Sequence, residues 1–298
     1  MGQNENPVAT VNKQEIAAAI GNSTIADSIL RSFNTLATQG QLVFPKGYAV
    51  GNQLKLMYTS LCQNGSISKV TPISVGESLT EAVVQGLEID KRQLYFIPRG
   101  NKLTMFRSYF GDVAVAKRTG LVVDMRARVL YEGDTYDIDT DEYGEEIVVN
   151  HKTRLENHDN PIIGGYSWAV LPNGSKIFCI MTKKEIDTAW SKSSDPTRNT
   201  QKDYPQEMTK RTVIRRLAKR IFNTSSTELT DEQKAIIASF NRTTEQEYDN
   251  TPKSNLVGIK KVVVDDDGTI VGDNSNEVIE EQQEPVENVN PSDEEQKQ

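Results

Sequence analysis

The hydrophobic period of this chain changes twice. Up to Gly86 apolar residues recur at helical spacing, from Gln93 to Thr182 they alternate, and after Thr182 the helical period returns. Hairpins in the alternating part, interleaved with helices, indicate an α+β class rather than a doubly wound parallel sheet. The expected architecture is a small antiparallel β-sheet of hairpins packed with helices.

Helices are expected from Asn12 to Ile20, from Ser23 as N-cap through Leu36, from Val50 to Cys62 and from Gly76 to Gly86. Gln93–Pro98 and Lys102–Phe106 flank the turn Arg99-Gly100-Asn101. Ser108 caps a helix through Thr119, and Gly120 follows in the position that favours a left-handed backbone. The strand Leu121–Glu132 places Val123, Met125, Ala127, Val129 and Tyr131 on one face and Asp124, Arg126, Arg128 and Glu132 on the other. Two more hairpins follow, Asp134–Ile138 with Glu146–Asn150, and Ile162–Val170 with Lys176–Thr182 through Asn173-Gly174. A helix from Thr182 to Trp190, a polar mobile loop from Ser191 to Lys202, a long helix from Asp203 to Phe222 and a short one from Asp231 to Phe240 complete the ordered chain. The domain reading is an N-terminal helical region (1–49), a core (50–224), a helical extension (225–250) and a disordered acidic tail (251–298) with at most a weak strand, Ile259–Val264.

Charge is unevenly spread. The net charge is −8, yet residues 249–298 hold 13 acids against four lysines, a net of −9. The remaining 248 residues carry +1, so a basic surface on the folded part is compatible with the acidic average. No apolar run approaches the roughly 18 residues of a membrane span, and no export or anchoring signal is read at the N-terminus, so a cytoplasmic protein is expected. Cys62 and Cys179, 117 positions apart, are read as small buried hydrophobes in a reducing compartment. With 298 residues the chain builds its core without metal or disulfide staples.

Nucleotide chemistry finds no support, because neither GxxxxGK[ST] nor GxGxxG after a strand occurs. His151 and His158, seven apart, are read as ordinary surface histidines. Asp137-Ile138-Asp139-Thr140-Asp141 begins like a calcium loop but has Glu142 where glycine is needed and Val148 where a bidentate glutamate is needed. These acids read as a solvated hairpin tip, with a metal-dependent nuclease centre as the alternative.

The most informative segment is Lys210–Ile221, with six basic residues and no acid in positions 210–220. Val213, Ile214, Leu217 and Ile221 share an arc of about 100° and the cations spread round the rest. Two readings stand: a solvated face balanced by acids elsewhere, such as Glu207 or the tail, and a helix that binds a phosphate backbone. Further cations, Lys117 and Arg118 among them, accompany Tyr95, Phe96, Phe106, Tyr109 and Phe110, which offer stacking surface for bases or belong to the core.

The order of segments resembles the RecT family of phage single-strand annealing proteins. The resemblance runs through Ser78–Ile89, Leu94–Pro98, Leu103–Phe106, Ala114–Gly120, Gly165–Ala169, Met181–Ile186 and Met208–Leu217, and covers roughly Leu54 to Phe222. It departs at Phe106–Gly111, where the family has a Gly-Tyr-x-Gly-like element. The resemblance implies an ATP-independent, non-enzymatic protein of a phage or prophage, acting in the bacterial cytoplasm. It would bind single-stranded DNA, assemble into rings or helical filaments and pair complementary strands into an annealed duplex. It also implies a partner exonuclease and contact with a host single-strand-binding protein. No nucleotide or protein-bound cofactor is expected, with Mg2+ acting through the DNA alone. The candidate DNA contacts are Lys117, Arg118, Arg126, Arg128, Lys210, Arg211, Arg215 and Lys219. A structural phage assembly protein is the remaining alternative.

Overall fold

Capping side chains set the helix starts. Asn12 and Glu15 form a reciprocal capping box at α1 (Lys13–Ile20), Ser23 caps α2 (Thr24–Thr38), and α3 (Val50–Gln63) follows. Thr71 caps α4 (Pro72–Val84), whose first residue is a proline that needs no N–H partner there. Ser108 caps α5 (Tyr109–Arg118), and Thr182 with Glu185 forms a second capping box at α6 (Lys183–Ser191). The long helices α7 (Pro205–Asn223) and α8 (Asp231–Tyr248) close the set. The computed structural model describes residues 12–192, 200–226 and 228–248, together with residues 263–264 and 270–271. The chain forms two units, 1–251 and 252–298.

Strands β1 (Leu94–Arg99) and β2 (Lys102–Arg107) pair as an antiparallel hairpin. Strands β3 (Asp124–Tyr131), β6 (Ile162–Val170) and β7 (Lys176–Thr182) make an antiparallel sheet with β6 in the middle, and β4 (Thr135–Thr140) with β5 (Glu146–Lys152) forms a separate hairpin between β3 and β6 in sequence. The α+β class with small antiparallel sheets is therefore observed. In the second unit, β8 (Val263–Val264) pairs with β9 (Ile270–Val271). The expected tail disorder and most of the expected Ser191–Lys202 loop fall outside the described residues.

One apolar core runs from Ile16 and Phe33 through Leu54, Leu79 and Leu217 to Phe240. Helix α7 lies across the inner face of the three-stranded sheet. Ser167 Oγ donates to the Val213 carbonyl at 2.9 Å, and a Cβ on Gly165 would stand 2.7 Å from Thr209 Cγ2, so the glycine sets how close the helix comes. Gly111 marks an even tighter approach, because a Cβ there would stand 2.0 Å from the Gln93 carbonyl oxygen. Gly111→Ala is expected to cost about 1–3 kcal/mol through forced backbone shifts. A urea titration checks this, and an unchanged midpoint would refute the close approach.

Several expectations need correction. The last helix does not stop at Phe240 but continues two turns to Tyr248. A bulge between Leu130 and Tyr131 buries both side chains, and Val123 is exposed just ahead of the strand, so strict alternation fails at both ends of β3. Cys62 is exposed rather than buried, and Cys179 is half-buried. His151 is no surface residue: Nδ1 lies 3.0 Å from Tyr166 Oη and Nε2 lies 3.1 Å from Asp134 Oδ2. Asp134 also accepts from Asn157 and the Tyr131 N–H, and these bonds outweigh its burial, holding its carboxyl at about 2.

Candidate nucleic-acid interface

The cations of α7 divide into a buried set and a cleft-facing set. The apolar arc read from sequence assumes one packed side, but α7 is packed twice, by the sheet through Val213 and by α5 and α8 along the neighbouring arc. That second contact swallows Arg211 and Arg215, which lie one helical turn apart. Arg211 donates to Glu247 Oε2 at 2.6 Å and to the Arg107 carbonyl at 3.1 Å. Arg215 donates to Asp112 Oδ2 at 2.9 Å and to Glu247. Arg107, wholly buried, completes the group: it donates to Asp112 Oδ1 at 2.7 Å, to Gln85 Oε1 at 2.9 Å and to Thr243 and Thr244, and lies 4.0 Å over the Phe240 ring.

Three guanidinium groups thus share two carboxylates in the interior. Burial pushes the Arg107 guanidinium down from its ordinary value. Burial would push Glu247 up, but Arg211, Arg215 and Arg107 outweigh it and hold the carboxyl below the usual glutamate range. For Arg211, burial and then Arg215 push down, but Glu247, Tyr95 and Asp112 raise it and the guanidinium ends above its ordinary value. The exposed position expected of Arg211 and Arg215 is therefore corrected: both are buried and paired with Glu247 and Asp112.

The adjoining stripe of α7 faces α6. Between the two helices lies a cleft of about 660 Å³ floored by Met181, with Lys184, Thr188 and Lys192 on the α6 wall and Arg216, Lys219 and the buried Arg215 on the α7 wall. A bond from Trp190 Nε1 to Thr212 Oγ1, 2.9 Å, ties the walls together. The single acid in the lining among the described residues, Glu185, is already engaged: it closes the capping box of α6 and accepts from Arg216 at 3.0 Å. The Thr182 N–H and then Arg216 hold its carboxyl below the ordinary range. Lys184, Lys192 and Lys219 have no ion pair among the described residues, so the cleft keeps an excess positive charge with an apolar floor. Such a surface is matched to phosphates held without base readout.

The other expected contacts lie elsewhere. Lys117 is exposed at the end of α5, 3.7 Å from Asp124. Arg118 turns inward, donates to the Gln85 carbonyl at 2.9 Å and lies 3.9 Å from Glu88, which fits a cap on the end of α4 better than a DNA contact. Burial pushes its guanidinium down. Arg126 and Arg128 stand on the outer face of the sheet, Arg126 paired with Asp124 at 2.7 Å. Lys210 pairs with Glu207 at 2.8 Å, and Arg220 forks onto Glu145 of the β4–β5 turn, which raises its guanidinium. The eight residues thus form no single patch; of them Lys219 and the buried Arg215 line the cleft. Lys184 and Lys192 were missed, although their spacing of eight puts them on one face of α6 with Thr188 between them.

The acidic hairpin is engaged locally. Asp137 accepts from Asn150 at 2.9 Å, and Asp141 accepts from the Tyr143 and Glu145 N–H groups. Among the described residues no three His, Cys, Asp or Glu side chains come together as a metal site.

The RecT family model matches residues 52–252, which contain the cleft, the sheet and the buried arginines. The chain belongs to the RecT family. Protein RecT of Escherichia coli (strain K12) is 26% identical over 226 residues, covering 72% of this chain and 82% of that protein. Membership places the chain among proteins of DNA recombination and annealing. The RecT-family span takes in all of α8, so Glu247, its partners Arg211 and Arg215, and Arg107 fall inside it, whereas α1 and α2 precede it. Among the described residues of this RecT-family chain, no helix is long and apolar enough to cross a membrane.

Proposed function

We propose that this protein binds single-stranded DNA through its phosphates at the α6–α7 cleft and, as a ring or filament, pairs complementary strands without ATP. The observation that carries this reading is the cleft itself, in which Lys184, Lys192 and Lys219 have no ion pair among the described residues and the lining Glu185 is held by Arg216, in a RecT-family chain. A strand gripped by its backbone keeps its base edges free to sample a complement, and lysines impose no sequence preference. No bond is made or broken, so the activity is binding and not enzymatic. No nucleotide or protein-bound metal takes part, and Mg2+ acts on the DNA. The setting is the cytoplasm of a bacterial host, with an exonuclease supplying resected ends and a host single-strand-binding protein as neighbour.

The test is the annealing of two complementary oligonucleotides with and without ATP. Equal acceleration in both is the expected result; a requirement for ATP would overturn it. Magnesium-dependent degradation of labelled DNA, abolished by Asp137→Asn with Asp139→Asn, would favour the nuclease alternative.

The acidic segment serves solubility and partner docking in this reading. Deleting residues 251–298 is expected to leave single-strand affinity within a few-fold at 0.15 M salt, where a Debye length of about 8 Å screens loosely held acids. It should also reduce solubility. A tightening of tenfold or more, reversed by the free peptide, would make the segment an autoinhibitor instead.

A further inference from the structure

The outer face of the three-stranded sheet carries groups that the cleft reading leaves unused. Register puts Arg126, Trp168 and Phe178 in one row across β3, β6 and β7, and Arg128, Tyr166 and Ile180 in the next. The rings form a continuous stack: Tyr166 and Trp168 have centroids 5.7 Å apart, Trp168 and Phe178 6.5 Å, each pair within 24° of parallel. Val148 of the β4–β5 hairpin packs at the Tyr166 end, and His151 bonds its hydroxyl, so Tyr166 is buried. Trp168 and Phe178 are only half-buried, and the arginines beside them are exposed, with 68% of the Arg126 side chain open to solvent.

Charge adds to this asymmetry. Arg128 has no ion pair among the described residues, and Lys176 is exposed at the edge of the same face. Of the acids near this face, Asp134 is held by His151 and Asn157, and Asp124 is held by Arg126 and lies near Lys117, the Arg126 bond holding the Asp124 carboxyl below the ordinary range. Half-covered aromatic rings beside exposed guanidinium groups are the combination that sequence-independent single-strand sites use, bases on the rings and phosphates on the cations. A duplex keeps its bases stacked on one another and cannot use the rings.

We propose that this face is a second nucleic-acid site, where unpaired bases stack on Trp168 and Phe178 while Arg126 and Arg128 hold the adjoining phosphates. It rests on the single-strand reading above but is physically separate from the cleft. Helix α7 covers the inner face of the sheet, and α6 joins it through the cluster of Ile186, Met181 and Val213, so the sheet stands between the two sites. Each protomer then touches single strands on both sides of one sheet.

The two tryptophans of the chain report on the two sites separately, Trp168 on the sheet and Trp190 beside the cleft. Trp190→Phe leaves Trp168 as sole emitter, and Trp168→Phe leaves Trp190. Titrating the full chain with oligothymidylate should quench Trp168 emission saturably, whereas a blunt duplex of equal length should not. Phe178→Ala in the Trp190→Phe background should weaken the quench-derived affinity by roughly five- to a hundredfold, the cost of one lost stacking partner. Arg126→Ala with Arg128→Ala should weaken it too, and arginine-to-lysine replacements should restore most of it. Circular dichroism confirms that each variant is folded.

Oligothymidylate that moves Trp190 but leaves Trp168 unquenched would overturn the second site and spare the cleft, as would a folded Phe178→Ala variant of unchanged affinity. A Trp168 response with an unmoved Trp190 would instead support the sheet site while removing the cleft. Retention of no DNA at all would overturn both.

Discussion

Glu247→Ala lowers the stability of the folded unit by about 3–5 kcal/mol, the cost of leaving buried charges without their partner. Its carboxylate is the common acceptor of Arg211 and Arg215, and it sits in the last turn of α8. Without it, three buried guanidinium groups retain one carboxylate, Asp112. For a unit of this size the melting temperature should fall by roughly 2–4 °C per kcal/mol, or about 10 °C. Because the folded Glu247 carboxyl lies below its unfolded range, its contribution is complete above the unfolded value, about 4.3, and fades as pH falls through the folded one. The difference in stability between wild type and Glu247→Gln should therefore be full at pH 7 and shrink below about pH 4. Arg211→Met combined with Glu247→Leu should cost less than the two single changes added together, since both charges leave at once. Additive losses would show that the pair is not coupled.

The buried network shows why the site was harder to read than the fold. Local chemistry announces itself in sequence: Ser23, Ser108 and Thr182 cap the helices expected of them, and Asn173-Gly174 turns the hairpin between β6 and β7. Burial of a charge does not, because it depends on elements far away in the chain. Arg211 and Arg215 look solvent-facing on a helical wheel until Asp112 of α5 and Glu247 of α8 come to lie beside them, 103 and 36 residues distant respectively. Reading α8 as ending at Phe240 removed from consideration Thr243 and Thr244, which accept from Arg107, and Glu247, which accepts from Arg211 and Arg215. Lys219 was legible as a cation of α7, but its companions Lys184 and Lys192 sit on another helix, and the cleft exists only once Trp190 bonds Thr212. Arg126 and Arg128 were legible as one face of β3, whereas their neighbours Trp168 and Phe178 needed the register of two further strands.

Removing the cleft lysines separates structural from DNA-binding charge on the same helix. Lys184, Lys192 and Lys219 have no ion pair among the described residues, so their joint replacement by alanine should change stability by no more than about 0.5 kcal/mol per site. DNA binding should respond strongly. If each lysine neutralises one phosphate, the slope of log K against log salt flattens by about 0.7 per site, or about 2 in all. Taken to a 1 M reference, that slope corresponds to a loss of about 50-fold in affinity at 0.15 M salt and about 500-fold at 0.05 M. Arginine at the three positions should keep the slope, because the charge and not the ammonium geometry is what releases counterions. Arg211→Met, at a buried arginine outside the cleft lining, is the counterpart: it should cost stability, leaving two carboxylates facing two guanidinium groups, while the protein that remains folded keeps the wild-type salt slope. Filter binding to oligothymidylate at four or five salt concentrations, paired with urea melts, measures both quantities on the same preparations. A triple-alanine protein with wild-type slope and affinity would mean that the strand does not run through the cleft, whereas a flattened slope in Arg211→Met would mean that the buried arginine opens to DNA.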